Sequence, residues 1–264
     1  MAVYKIFPEK DTFILSKYPS QNTGRDEILD ISNYNGINQL SSATGDLPAV
    51  TRTLVQFKSM DINDVISNKI SGSTFQSNLR LYLANAENAP LNYTLESYPV
   101  SGAWDMGTGK VSDVPITTNG CSWGWRGTSG SNAWVTGGGD FYLNQASSSQ
   151  DFTYTSDKDI SMDVTDIVQL WNAASFSNDG FIIKHSASIE FSSSFVETNY
   201  FSVDTHPIYP PTLEFKWDDS DYTSSLPLVT GSDFILSFTN NKQQFEDSGI
   251  YNFKLRARDT YPAR

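Results

Sequence analysis

Two histidines, one cysteine and thirty carboxylates are the residues of this 264-residue chain that could do chemistry. A nucleophilic triad needs a histidine beside a serine or cysteine. His185 follows an apolar run in Lys184-His185-Ser186, and His206 precedes Pro207. Neither comes with a serine in a G-x-S-x-G elbow, so both read as surface or loop histidines. Zinc takes Cys and His ligands in threes and fours, and Cys121 with two scattered histidines offers no such spacing. Gly107-Thr108-Gly109-Lys110 resembles the tail of a phosphate loop, but Val111 stands where the Ser or Thr hydroxyl belongs. Glycoside hydrolysis needs two carboxyls about 5–9.5 Å apart. Glu96, Asp105, Asp113 and Asp140 border one glycine-rich stretch, but sequence does not give their separation. Asp218, Asp219 and Asp221 could offer oxygens to Ca²⁺, yet the run lacks the spacing and glycine of an EF-hand loop and reads as a solvated linker. The expectation is a chain that is not an enzyme, with no catalytic residue, metal ligand or cofactor assigned.

The tryptophans carry a milder chemistry. Trp104, Trp123, Trp125 and Trp134 fall in Ser101–Gly139 with ten glycines, Pro115 and Cys121, and without sustained alternation. This reads as long ordered loops pinned by aromatics; loops beyond about 12–15 residues are uncommon and often functional. Indoles in a flat accessible row would form a platform for a glycan or a partner. Indoles packed on Val164 and Phe181 would instead close the end of a sandwich.

Short strands must position these loops. The segments Val3–Phe7, Thr12–Leu15, Glu27–Ile31, Arg52–Phe57, Leu79–Leu83, Tyr93–Tyr98, Ile160–Val164, Gly180–Lys184, Ser188–Phe191 and Pro211–Trp217 have strand character, with turn residues between them. Ser32–Ala49 reads as a surface loop, and Asn88-Ala89-Pro90 as a hairpin turn joining its neighbours. Ile62, Val65, Ile66, Lys69 and Ile70 share one helical face after Asp61, a candidate cap, and Val164, Ile167, Val168 and Trp171 share another. Leu54, Phe57, Leu81, Val164, Phe181, Ile183, Leu213 and Phe215 are the expected core. Apolar residues are only 38% of the chain but aromatics reach 13%, which suits a core of few, large side chains. The pattern predicts an all-β chain: a jelly-roll-like antiparallel β-sandwich over 1–217, with one or two short helices.

Residues 218–264 should form a linker and β arm, or the start of an Ig-like β domain. Phe234, Ile235, Phe238, Tyr251 and Phe253 are their assembly residues, and the strand close to Arg264 suggests that more sequence follows. The net charge of −12 repels nucleic acid, whose binding relies on Lys and Arg displacing counterions. Met1–Pro8 lacks the basic and apolar regions of a leader, and no run approaches the roughly 20 apolar residues of a membrane span. Synthesis and folding in a reducing cytoplasm are expected, with no membrane insertion. One cysteine permits no internal disulfide.

Several stretches, in order, carry a resemblance. They are Asp11-Thr12-Phe13-Ile14, Asn22-Thr23-Gly24, Arg52-Thr53-Leu54-Val55-Gln56-Phe57, Asn78-Leu79-Arg80-Leu81-Tyr82 and Trp104. Asp163-Val164-Thr165-Asp166-Ile167-Val168-Gln169-Leu170-Trp171, Asp179-Gly180-Phe181-Ile182-Ile183 and Pro211-Thr212-Leu213-Glu214-Phe215 complete the set. Together they resemble DNRLRE domains, sandwiches related to a class of carbohydrate-binding modules, over about residues 3–217. With Trp104–Lys110 and Thr117–Trp123 they are similar to virion structural proteins of tailed phages, especially large phages of cyanobacteria and other marine hosts. The resemblance implies a component of the neck, tail or fibre, located in the virion, that forms a homo-oligomer and contacts other virion proteins. It leaves a second class open: a glycan-binding module for the host surface.

Overall fold

The computed structural model describes residues 2–34, 49–72, 74–87, 92–190, 196–205, 209–219, 234–239 and 252–259. The chain divides into two compact units, 1–219 and 220–264.

The first unit is an antiparallel sandwich. One sheet has four strands in the order β1 (Ala2–Ile6), β12 (Thr212–Trp217), β5 (Phe75–Leu81) and β9 (Ile160–Asp163). The other is a curled eight-stranded sheet in the order β6 (Leu83–Glu87), β11 (Val196–Phe201), β3 (Ile28–Tyr34), β4 (Ala49–Gln56), β10 (Phe181–His185), β7 (Asn92–Pro99) and β8 (Ser148–Thr153). Its eighth strand, β2 (Lys10–Leu15), runs along β4 from Lys10↔Gln56 to Leu15↔Thr51.

Alternation explains the facing. In β12, Leu213, Phe215 and Trp217 turn inward while Glu214 and Lys216 lie on the opposite face. Leu79, Leu81, Ile160 and Met162 continue that inner layer and meet Val55, Phe181, Ile183, Leu95 and Phe152 of the larger sheet. All eight expected core residues are buried. Helix α2 (Thr165–Asn172) follows β9 because Asp163 Oδ1 accepts the Thr165 amide at 3.0 Å and its hydroxyl at 2.6 Å. The helix then buries Ile167, Val168 and Trp171, whose indole sits 4.7 Å from the Phe181 ring.

Four local expectations are corrected. Leu79–Leu83 and Tyr93–Tyr98 are not a hairpin: β5 belongs to the four-stranded sheet, and β6 pairs with β11 at the far end of the other sheet from β7. Asn88-Ala89-Pro90 lies outside the described residues. Ser188–Phe191 is not a strand, since Ile189 and Glu190 donate back to the Ser186 carbonyl and form a single helical turn, α3 (Ala187–Glu190). Ser32, Asn33 and Tyr34 belong to β3 rather than a loop. Helix α1 (Ser59–Asp64) starts before Asp61, so Asp61 sits in its first turn and does not cap it; a π-helical turn over Val65–Lys69 continues it.

The second unit contains an antiparallel ribbon of β13 (Phe234–Phe238) and β14 (Leu255–Asp259), in register from Phe234↔Asp259 to Phe238↔Leu255. Tyr251 lies outside the described residues.

Candidate functional site

Strand β10, inside the eight-stranded sheet, is buried on both faces. Phe181 and Ile183 enter the main core, whereas Ile182 between them enters a second one. That second core gathers Ile14, Leu54, Val100, Trp104, Cys121, Trp134 and Ile182, with Tyr98, Met106, Trp123 and Phe141 packed against it. It is the underside of the long 101–147 connection.

The tryptophans therefore do not form the accessible row that a sugar platform requires. Trp104 and Trp134 are buried, and their indole N–H groups donate to the carbonyls of Asp179 at 2.8 Å and Ser122 at 2.9 Å. The Lys10 ammonium covers the Trp104 ring at 4.3 Å and donates to the Trp104 carbonyl. Trp123 is half-buried beneath the Arg52 guanidinium, 5.0 Å from its ring, and Trp125 is half-buried in a bridge to Ala133. Trp104, Trp134 and Trp123 pack in or on this second core, not on Val164 and Phe181.

Asn22, fully buried, staples the connection to the Pro19–Asp26 segment. Its Nδ2 donates to the Met106 carbonyl at 2.8 Å and the Cys121 carbonyl at 2.7 Å, and its Oδ1 accepts from the Gly109 amide at 2.8 Å. Its own amide donates to the Thr117 carbonyl at 2.8 Å. The approach leaves no room for side chains. A Cβ on Gly24 would lie 1.9 Å from the Met106 carbonyl oxygen, and one on Gly107, at φ +79°, 2.3 Å from Asn22 Oδ1. Hence glycine at both.

A buried charge network lies on the same outer face. Arg52 grips Glu190 with both prongs, Nε–Oε1 at 2.7 Å and Nη2–Oε2 at 3.0 Å, and its Nη1 donates to the Gly138 carbonyl at 2.8 Å. Lys184 reaches Glu96 at 3.4 Å and Glu190 at 3.5 Å. Two cations meet two carboxylates.

The other candidate groups have structural employment. Asp140 accepts the Val135 and Thr136 amides, and Asp113 accepts the Lys110 amide and the Thr117 hydroxyl. Asp105 is exposed. Burial pushes the Cys121 thiol well above its ordinary range. His185 is not a surface histidine: it is buried at the end of β10, and burial holds its imidazole down at about 4. His206 lies outside the described residues. Among the described residues no group of three or more His, Cys, Asp or Glu could hold a metal.

No protein-family model matches the chain, and no curated protein matches it in sequence. Its surface is the remaining guide to function. In the second unit Leu236, Phe238, Phe253 and Leu255 are each more than half exposed, with the Phe238 and Phe253 rings edge-on at 6.1 Å. Register places Leu236, Phe238 and Leu255 on one face of the ribbon, with Ser237 and Arg256 on the other.

Two buried carboxyls give the first unit a pH signature. Burial raises Asp11 to about 7 against the opposing hydrogen bonds from Val203 and Ser202, and raises Asp30 to about 7. Both bind protons in the folded state that the unfolded chain releases between about pH 4 and 7, so stability falls as pH rises through that window. His185, depressed, acts oppositely between about 4 and 6.5. Two carboxyls outweigh one imidazole. The melting temperature should rise as pH drops from 8 to 5.5, and Asp11→Asn should flatten the trend. A melting temperature that falls steadily over that range would contradict these assignments.

Proposed function

We propose that the chain is a non-enzymatic structural component of a tailed-phage particle, in its neck, tail or fibre, and that it works by protein–protein contact. The observation that carries the contact reading is the exposed apolar face of the β13–β14 ribbon. A two-stranded unit is marginal alone in water, and clustered exposed apolar side chains mark interaction sites. Particle membership rests on the ordered set of motifs that resembles phage virion sandwiches. A host-glycan platform is the weaker reading, because Trp104 and Trp134 present no ring face to solvent.

The test is a Phe238→Asp, Leu255→Asp variant supplied in place of the wild-type chain during particle production. The expected result is a folded protein, with the same melting transition for its first unit, that is absent from purified particles. Normal incorporation would remove the ribbon as the contact element.

A further inference from the structure

The outer face of the four-stranded sheet is electrically lopsided. Strand register places Lys5, Glu214, Asn78 and Asp163 in one row across β1, β12, β5 and β9. Val3, Lys216 and Gln76 form the row on one side, and Thr212, Arg80 and Ser161 the row on the other. Three cations converge on a single carboxylate: Lys216 lies 2.8 Å, Lys5 3.3 Å and Arg80 3.5 Å from Glu214 oxygens. Their stems cover Glu214 to 3% exposure, and one negative charge against three positive leaves an excess of two. Val3, at the β1 edge, is half exposed.

The β9 edge has the opposite sign. Asp163 and Asp166 rim a depression of about 340 Å³ beside this edge, whose floor is Phe75, Val164 and Ile167 of the main core. Two carboxylates beside an aromatic ring suit an ammonium or guanidinium group. The first unit carries 13 Lys and Arg against 25 Asp and Glu, so a concentration of cations on one sheet face is the exception in this chain.

We propose that this face is a self-association surface. Two copies of the chain pack it face to face about a two-fold axis that runs along the strands between β12 and β5. Three strand spacings separate β1 from β9, about 14 Å. The two-fold operation sets Lys5 of each copy over Asp163 of the other, and Lys216 over Gln76, so that the basic end of one face meets the acidic end of the other. Such self-complementarity is what a two-fold interface requires. Four short strands offer roughly 300 Å² per copy, well below the about 800 Å² of a standard interface, so the dimer is weak and reversible. The pairing does not depend on whether the chain is built into a particle.

Reversing charges tests this better than adding salt, because salt also screens the repulsion between two copies of net charge −12. Val3→Glu, Lys5→Glu makes the basic end acidic while leaving Lys216 and Arg80 on Glu214. Gln76→Lys, Asp166→Lys makes the acidic end basic; it removes the Gln76 hydrogen bond to Asp163 Oδ2 and leaves Thr165 on Oδ1. Full-length chains are compared by sedimentation equilibrium, with circular dichroism confirming the fold. The wild type should dimerise, each variant alone should associate at least tenfold more weakly, and an equimolar mixture of the two should recover wild-type association as a heterodimer. A wild type that stays monomeric up to roughly millimolar concentration, a variant that dimerises like wild type, or a mixture that fails to associate overturns the proposal.

Discussion

Replacing Glu190 by alanine is expected to destabilise the first unit by about 3–5 kcal/mol, the range for removing one partner of a buried ion pair. Glu190 is the inner counter-ion of two cations. Arg52 meets it with both prongs, and Lys184 lies 3.5 Å away. Without it Arg52 keeps only the neutral Gly138 carbonyl and Lys184 keeps the partly exposed Glu96. At about 2–4 °C per kcal/mol for a unit of this size, the melting temperature should drop by roughly 10 °C. The double variant Glu190→Leu, Arg52→Met should recover much of the loss, since apolar replacement of a whole buried pair is often neutral or stabilising. A loss below about 1 kcal/mol in Glu190→Ala, read in urea melts, would mean that α3 does not hold this carboxylate beneath the sheet.

Asn22→Ala should cost a similar amount through different physics. The side chain satisfies two carbonyls and one amide of the 101–147 connection, and each buried polar group left without a partner costs about 1–3 kcal/mol. The damage should be local, so two reporters beside the staple apply. Cys121, fully buried in the second core, should become reactive to thiol reagents, and the fluorescence of buried Trp104 and Trp134 should shift to the red. Asn22→Asp is the sharper variant: it keeps the shape, but a carboxylate facing two carbonyl oxygens repels where the amide donated. An unreactive Cys121 in both variants would show that the connection is held by other means.

These sites mark where sequence reading succeeds and where it stops. The inner layer was legible because Leu213 and Phe215 alternate with Glu214 and Lys216, and because the Val164–Trp171 stripe has helical period. The second core was legible only in part: the tryptophans of Ser101–Gly139 are read either as a platform or as a small core closing the sandwich end, and a stretch with no period does not say which strands that core covers. A signal existed in Phe181-Ile182-Ile183: an unbroken apolar run means both faces of the strand are covered. Arg52 and Lys184, charges set among buried strand residues, signalled a partner on that face without naming it. Glu190 was hidden because Ile189-Glu190-Phe191 alternates like a strand, and four residues cannot separate that pattern from a helical turn closed by Ser186. Asn22 looked like an ordinary turn residue; its partners lie 84 to 99 positions away.

The most direct test of the proposed structural-component role is quantitative mass spectrometry of purified tailed-phage particles from infected cells that express the chain. Peptides from both units, such as one spanning Phe181–His185 and one spanning Phe234–Phe238, should appear at a constant whole-number ratio to the major capsid protein through successive purification steps. A chain that is abundant in infected-cell lysate but depleted to background in purified particles would contradict the account.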